Sequence, residues 1–408
     1  MIFFLRYSFA LLLKCTLPVL LVVAPLSFGD EYYPEPDSAA GWRKNTDPGF
    51  MRSLGLDPDN VDAFGEYNLS ITKTSHIKGR DYHKYTGALV IKDGWIVGEW
   101  YNREDGADYM NYLSSVGKTF ALACFGIVEK DGQEGRVDHV LDRNSRVYDP
   151  RWLGIGFPLS DERKRDITFE QIFQHTSGLC PQKTADGRLI ENGRDRWTDY
   201  ASWVLGQEER WHQTHKLYFS PGRPEEFADR ETWGAHEGAY SSVGFAHIGL
   251  VIQGLYGIPA HQFLWERLLR PLGFSGIDFH NPPNPPKIKW FSAGGLRMTT
   301  RDFGRFAYFL SRGGRWNGRL LVPDGWVDSF TSSPNYQNLR SNVDGYFGEN
   351  YPADMFRLFG SGGNFAFVVP GYDLIAIRTS RTALFLQKVL ERDFLRRVFL
   401  MIPGYVVD

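Results

Sequence analysis

The chain is poor in cysteine, has no excess of either charge and, beyond its first thirty residues, has no apolar run long enough to cross a bilayer. Three cysteines in 408 residues exclude a disulfide-stapled scaffold. Cys15 falls in the N-terminal segment, so Cys124 and Cys180 remain: one disulfide in an oxidising compartment or, as expected here, two half-buried free thiols. With 46 Lys and Arg against 48 Asp and Glu, the formal charge is -2 and no basic excess exists to neutralise a phosphate backbone, so nucleic acid is not an expected partner. There is no fixed-period repeat, which argues against a solenoid or propeller. A Gly-x-Ser-x-Gly elbow and a His-Glu-x-x-His motif are both missing, which argues against an α/β-hydrolase and a zincin. His212 and His215 have no third ligand at a telling spacing, so no metal is proposed, and no organic cofactor is implied.

What is present is an ordinary globular composition, 42% hydrophobic and 15% aromatic, with 43 glycines and 22 prolines pointing to a mixed fold with long loops. Residues 1–29 read as a signal peptide: Arg6 and Lys14 come early, Leu17 to Leu26 is apolar, and Ser27-Phe28-Gly29 offers small residues for cleavage. The expected location is therefore periplasmic or secreted, and membrane contact arises only if this segment stays uncleaved. Residues 30–60 form a lead-in, of which Asp30 to Asp47, rich in Pro, Tyr and charge, is expected to be flexible.

Ala88 to Ile91 and Trp95 to Trp100 flank Asp93-Gly94, a strong hairpin signal. Ser114 to Lys130 is apolar almost all round, which predicts a helix buried on every side and ending near Asp131-Gly132. Helical spacing recurs over Phe169–His175, Asp199–Leu205, Gly244–Leu255, Pro259–Leu269 and Thr300–Arg312, and Asn281 to Pro286 marks a boundary. Two strands, Phe365–Val369 and Leu374–Arg378, precede a closing amphipathic helix, Leu384–Phe399. The expectation is an α+β fold: a sheet subdomain over 61–148 and 287–408 with a helical subdomain, 149–286, inserted.

Three Ser-x-x-Lys tetrads occur, at Ser70, Ser75 and Ser115, so the pattern alone selects nothing. Only Ser115 and Lys118 open a predicted buried helix, where positions i and i+3 share a face. A serine hydroxyl needs a base to become nucleophilic, and a lysine serves if desolvation or nearby positive potential weakens its hold on its proton. The start of a buried helix offers both, together with backbone N–H groups for an oxyanion. The bland alternative is a capping serine followed by a lysine reaching out to solvent.

Later segments decide between them. Ile167-Thr168-Phe169-Glu170-Gln171-Ile172-Phe173-Gln174-His175-Thr176-Ser177-Gly178-Leu179 resembles the "ITxxxLLxHTSGL" stretch of the β-lactamase-related serine hydrolases, which include class C β-lactamases, penicillin-binding peptidases, esterases and nylon-oligomer hydrolases. In the family's order follow Ser220-Pro221-Gly222, Tyr240-Ser241-Ser242-Val243-Gly244-Phe245, Arg270-Pro271-Leu272-Gly273-Phe274, Ala293-Gly294-Gly295-Leu296 with Thr299 to Phe303, and Gly360-Ser361-Gly362-Gly363-Asn364. The resemblance runs from about Gly87 to Arg378 and implies the β-lactamase/transpeptidase-like fold, an antiparallel sheet flanked by helices with an all-helical subdomain. It also implies Ser115 as nucleophile, Lys118 as its base and Tyr240 as the phenol that relays a proton to the leaving group. His175 is implied to shape a loop.

Three departures bear on substrate. Ser242 stands where the family has Asn, and Ser361-Gly362-Gly363 replaces a Lys-Thr-Gly or His-Thr-Gly strand, which removes a cation for a substrate carboxylate. Gly117 stands where many relatives have Ser or Thr. Ser242, Ser361, Gly362, Gly363 and Asn364 are the expected substrate-binding residues, with the second oxyanion donor near Gly363 or Asn364. The expected activity is hydrolysis of a small-molecule ester, amide or peptide through an acyl-serine, with esterase or amidase preferred over β-lactamase. The alternative is a non-catalytic descendant of the fold that binds a cell-wall peptide or a protein.

Overall fold

Asp47 and Asp57 each precede a proline, and each starts a helix. Asp47 accepts from Phe50 N at the head of α1 (Pro48–Ser53), Asp57 from Asp59 N at the head of α2 (Pro58–Ser70), and Pro fills the first helical position where its missing N–H costs nothing. The molecule is described here from a computed structural model, over residues 31–71, 76–77, 80–81, 85–180, 216–227, 240–279, 292, 294–336, 338–380 and 387–407. The segment from Asp30 to Asp47 was expected to be flexible, but from Glu35 to Trp42 it is fastened to the body. Trp42 is buried, and the fully buried Arg305 guanidinium takes Asp37 Oδ1 at 2.6 Å and the Glu35 carbonyl at 2.7 Å as acceptors. A buried cation needs such partners, which fasten the segment to the body.

The main sheet is antiparallel throughout. Its strands are β1 (Thr86–Lys92), β2 (Trp95–Tyr101), β3 (Leu339–Ser341), β4 (Phe356–Gly360), β5 (Asn364–Val369) and β6 (Leu374–Ser380), in the order β3-β4-β5-β6-β1-β2. β1 and β2 turn at Asp93-Gly94, both with positive φ, the backbone that a two-residue hairpin favours. The central strands are apolar on both sides because both faces are covered. Ala88, Val90, Phe365, Phe367 and Ala376 join Phe64 of α2 and Phe394 and Val398 of the last helix α7 (Gln387–Leu400) in one cluster. On the opposite face Leu89, Ile91 and Ile377 lie against Gly304 of α6 (Thr300–Ser311).

Behind α6 runs α3 (Gly117–Gln133), preceded by a 3-10 turn, Ser114–Val116, and buried nearly all round as its composition predicts. Phe120 of α3 stacks on Phe306 of α6 with ring centroids 3.7 Å apart. The remaining helices that shape the site are α4 (Phe169–Phe173) and α5 (Ser242–Tyr256), which packs on α3. The predicted helix over Pro259–Leu269 is an α-turn, Ala260–Leu264, continued by a π-turn, Trp265–Leu269. Asp199–Leu205, Asn281 to Pro286, His212, His215, Lys73, Ser75 and Lys78 lie outside the described residues. Cys124 and Cys180 form no disulfide, and both are fully rather than half buried. Among the described residues no single helix is long and apolar enough to cross a membrane.

Candidate active site

The turn that carries Ser115 is held from three sides. Leu113 N donates to Leu296 O at 3.0 Å, and Val116 N donates to Leu113 O at 3.2 Å. Ser114 sits at φ 52, a left-handed conformation that costs a non-glycine residue about 1–3 kcal/mol and persists only where its surroundings enforce it. Two glycines let the neighbouring backbone close in on it. A Cβ at Gly360, the end of β4, would lie 2.2 Å from Leu113 O and 2.9 Å from Val116 N, and one at Gly294 would lie 2.7 Å from Ser114 O. Only residues without side chains let the backbone come this close.

Lys118 follows one helical turn later and is 0% exposed. It is therefore not a lysine reaching out to solvent, and Ser115 caps no helix N–H. Lys118 Nζ donates to Ser115 Oγ at 3.2 Å and to Ser242 Oγ at 3.3 Å, and lies 4.7 Å from the ring centroid of Tyr240. Tyr240 OH donates to Ser115 Oγ at 2.7 Å. Ser115, Lys118, Tyr240 and Ser242 thus meet in one place, and a hydroxyl flanked by an amine and a phenol is an arrangement suited to nucleophilic attack with proton transfer.

Tyr240 owes its position to α4 and α5. Thr168 and Gln171 form a capping box at the start of α4, and the chain leaves that helix through His175 at φ 59. His175 is buried, stacks on the Tyr240 ring at 4.2 Å and accepts from Ser241 N at 3.0 Å through Nδ1. Burial, reinforced by the charge of Lys118, pushes its pKa down to about 3, so the ring is neutral. Ser241 in turn caps α5, accepting from Gly244 N at 2.9 Å. His175 therefore does more than shape a loop: it supports the phenol directly.

The substrate-binding expectations fare differently. Ser242 is 5% exposed and bonded to Lys118, which makes it a partner of the amine rather than an open substrate contact. Ser361, Gly362 and Gly363 are a turn between β4 and β5, not a strand, with both glycines at positive φ. That turn begins directly after Gly360, hence beside the turn of Ser115. Asn364 is corrected more firmly. Its Oδ1 accepts from Asn111 Nδ2 and Ser380 N, each at 2.9 Å, and its Nδ2 donates to Ser361 O at 2.7 Å and Tyr112 O at 3.2 Å. The side chain is spent on holding the turn and has nothing left for a substrate. Sequence reasoning missed Asn338, whose amide lies between His175 and Tyr240 and which no motif spacing marks. Among the described residues no group of three His, Cys, Asp or Glu side chains is placed to hold a metal.

A family model described as Beta-lactamase matches residues 83–398. This chain belongs to the Beta-lactamase family. Solved members of the same fold superpose over most of its length. EstCE1, a hydrolase with promiscuous acyltransferase activity, gives a TM-score of 0.59 at 14% identity, covering 86% of this chain and 98% of its own. A penicillin-binding protein homolog from Caulobacter crescentus gives 0.54 at 16% identity, covering 83% and 97%. A D-stereospecific amidohydrolase from Streptomyces sp. gives 0.51 at 18% identity, covering 82% and 98%. At these identities the likeness shows the fold, an antiparallel sheet with helices, as the family resemblance implied. An uncharacterized protein of Alkalihalophilus pseudofirmus is 24% identical over 197 residues, 40% of this chain and 57% of that protein, so the match spans just over half the length of this curated relative.

Proposed function

We propose that this member of the Beta-lactamase family is a serine hydrolase that cleaves an ester or amide of a small molecule or peptide through an acyl-Ser115 intermediate. The observation that carries the reading is the position of Ser115 Oγ, 3.2 Å from Lys118 Nζ and 2.7 Å from Tyr240 OH. In the proposed sequence Oγ attacks the carbonyl carbon while its proton passes to the lone pair of the unprotonated Lys118 amine, which becomes the ammonium. The tetrahedral oxyanion is met by Ser115 N–H and by a backbone donor of the Ser361–Gly363 turn. Tyr240 gives its proton to the departing oxygen or nitrogen and is reprotonated from Lys118, and water then attacks the acyl-serine by the same groups in reverse. Hydrolase, acyltransferase and amidohydrolase descriptions among the structural neighbours support this class of chemistry.

Ser361 supplies no cation for a carboxylate, so simple esters and small amides are preferred over β-lactams. An exported location, taken from the composition of residues 1–29, belongs to the same proposal and predicts a mature N-terminus near Asp30 on sequencing. The test is intact mass after fluorophosphonate treatment, with Ser115→Ala beside the wild type, and turnover of p-nitrophenyl butyrate against nitrocefin. One adduct on wild type alone and faster ester turnover are expected. An adduct on both proteins would mean a different serine, nitrocefin turnover above the ester rate would reverse the substrate order, and ligand binding without adduct or turnover would favour the non-catalytic alternative.

A further inference from the structure

Asn338 is 3% exposed and stands one residue before β3, where its backbone carbonyl accepts from Phe359 N of β4 at 3.2 Å. Its side chain reaches two residues of the site. Oδ1 takes a hydrogen bond from His175 Nε2 at 3.3 Å, while Nδ2 donates to Phe359 O at 3.3 Å and to Tyr240 OH at 3.5 Å. Chemistry sets the direction of this chain. Ser241 N–H can only donate, so His175 Nδ1 is the acceptor and the ring proton sits on Nε2. That proton needs an acceptor, which turns the Asn338 carbonyl toward His175 and its NH2 toward the phenol.

Resting on the assignment of Tyr240 as proton donor to the leaving group, we propose that Asn338, oriented by His175, is a further member of the proton-transfer machinery: its N–H donates to the Tyr240 oxygen and stabilises the negative charge that builds there as the phenol hands over its proton. At 3.5 Å the contact lies at the long end of hydrogen bonding. Hydrogen bonds shorten and strengthen when the acceptor becomes an anion, so the contribution is concentrated in the step that needs it. The consequence is a dependence on the leaving group. An alkoxide cannot depart without a proton, whereas p-nitrophenolate can.

The experiment compares Asn338→Asp with wild type on ethyl butyrate and on p-nitrophenyl butyrate, using kcat/KM, which reports acylation. Aspartate keeps the shape and the acceptor for His175 but replaces the donor with an oxygen that competes for the phenol proton. The expected fall is about 30-fold on the ethyl ester and only about 3-fold on the activated ester. Asn338→Ala, assayed beside it with a thermal melt of each protein, should move the same way and keeps the test open if the aspartate variant does not fold. An equal fall on both esters, which a merely structural role would give, or no fall on either, overturns the inference. Tyr240→Phe separates the two levels of the argument. If it shows the leaving-group-dependent loss and the Asn338 variants do not, the inference fails and the hydrolase reading stands. If Tyr240→Phe loses nothing, the assignment of Tyr240 fails and the inference falls with it.

Discussion

Under the proposed function Lys118 is kept for chemistry rather than for packing, and the two roles predict different outcomes. It is completely buried, and its amine makes hydrogen bonds to two hydroxyls, Ser115 and Ser242. Burying an amine is costly, so a volume-matched apolar side chain should fit the fold at least as well. Lys118→Met is therefore expected to lower kcat/KM about 1,000-fold while leaving the melting temperature unchanged or higher. A large loss of stability with activity retained would show that Lys118 is structural. Ser115 and Lys118 were singled out by their i, i+3 spacing at the start of a buried helix, but only the ordered family segments further along decided against a capping serine. Tyr240 was legible only through its motif. Asn338 was not legible, because what defines it is a contact across the fold, and nothing local distinguishes a polar residue that will face a phenol from one that will face water. Asn364 was misread for the related reason that its place in a motif says where it lies but not which way its amide is spent.

Among the elements, the hairpin at Asp93-Gly94 and the strands β5 and β6 followed from turn chemistry and apolar runs, and the sequence pattern placed them within a residue or two. Helix α2 was missed despite its Asp-Pro start, since its buried residues Val61, Phe64 and Asn68 are interspersed with acidic and polar ones. The Ser361–Gly363 segment stands where the family has a strand motif, but two consecutive glycines at positive φ close a turn instead. The contact between β4 and the turn of Ser115 makes a prediction for this level. A methyl group added at Gly360 would meet backbone on the turn of Ser115, which cannot swing aside as a side chain can. Gly360→Ala is expected to destabilise the protein by about 1–3 kcal/mol and to slow acylation of Ser115 by fluorophosphonate. Unchanged labelling and an unchanged melting temperature would mean that the contact does not position the nucleophile.

For the whole molecule, the buried α3 was implied by the apolar pattern and the helix-flanked sheet by the family resemblance, but the fastening of the lead-in was not, because it depends on a distant buried guanidinium. Global stability should also report the interior. Burial pushes His175 down to about 3 and His247 down to about 4 from an ordinary value of 6.5. Between about pH 4 and 6.5 the unfolded chain therefore binds more protons than the folded one, so stability is full above pH 6.5 and is lost as pH falls through this window. Denaturant unfolding near pH 5 should show uptake of about two protons from these rings, worth on the order of 2–3 kcal/mol each by pH 4. A pH-independent stability over this range would contradict the buried neutral assignment. The central claim is that Ser115 is an activated nucleophile, and the most direct measurement is the intact mass of the protein after reaction with a fluorophosphonate. One adduct on wild type and none on Ser115→Ala is the predicted result, whereas an unmodified wild type that also fails to turn over activated esters would contradict it.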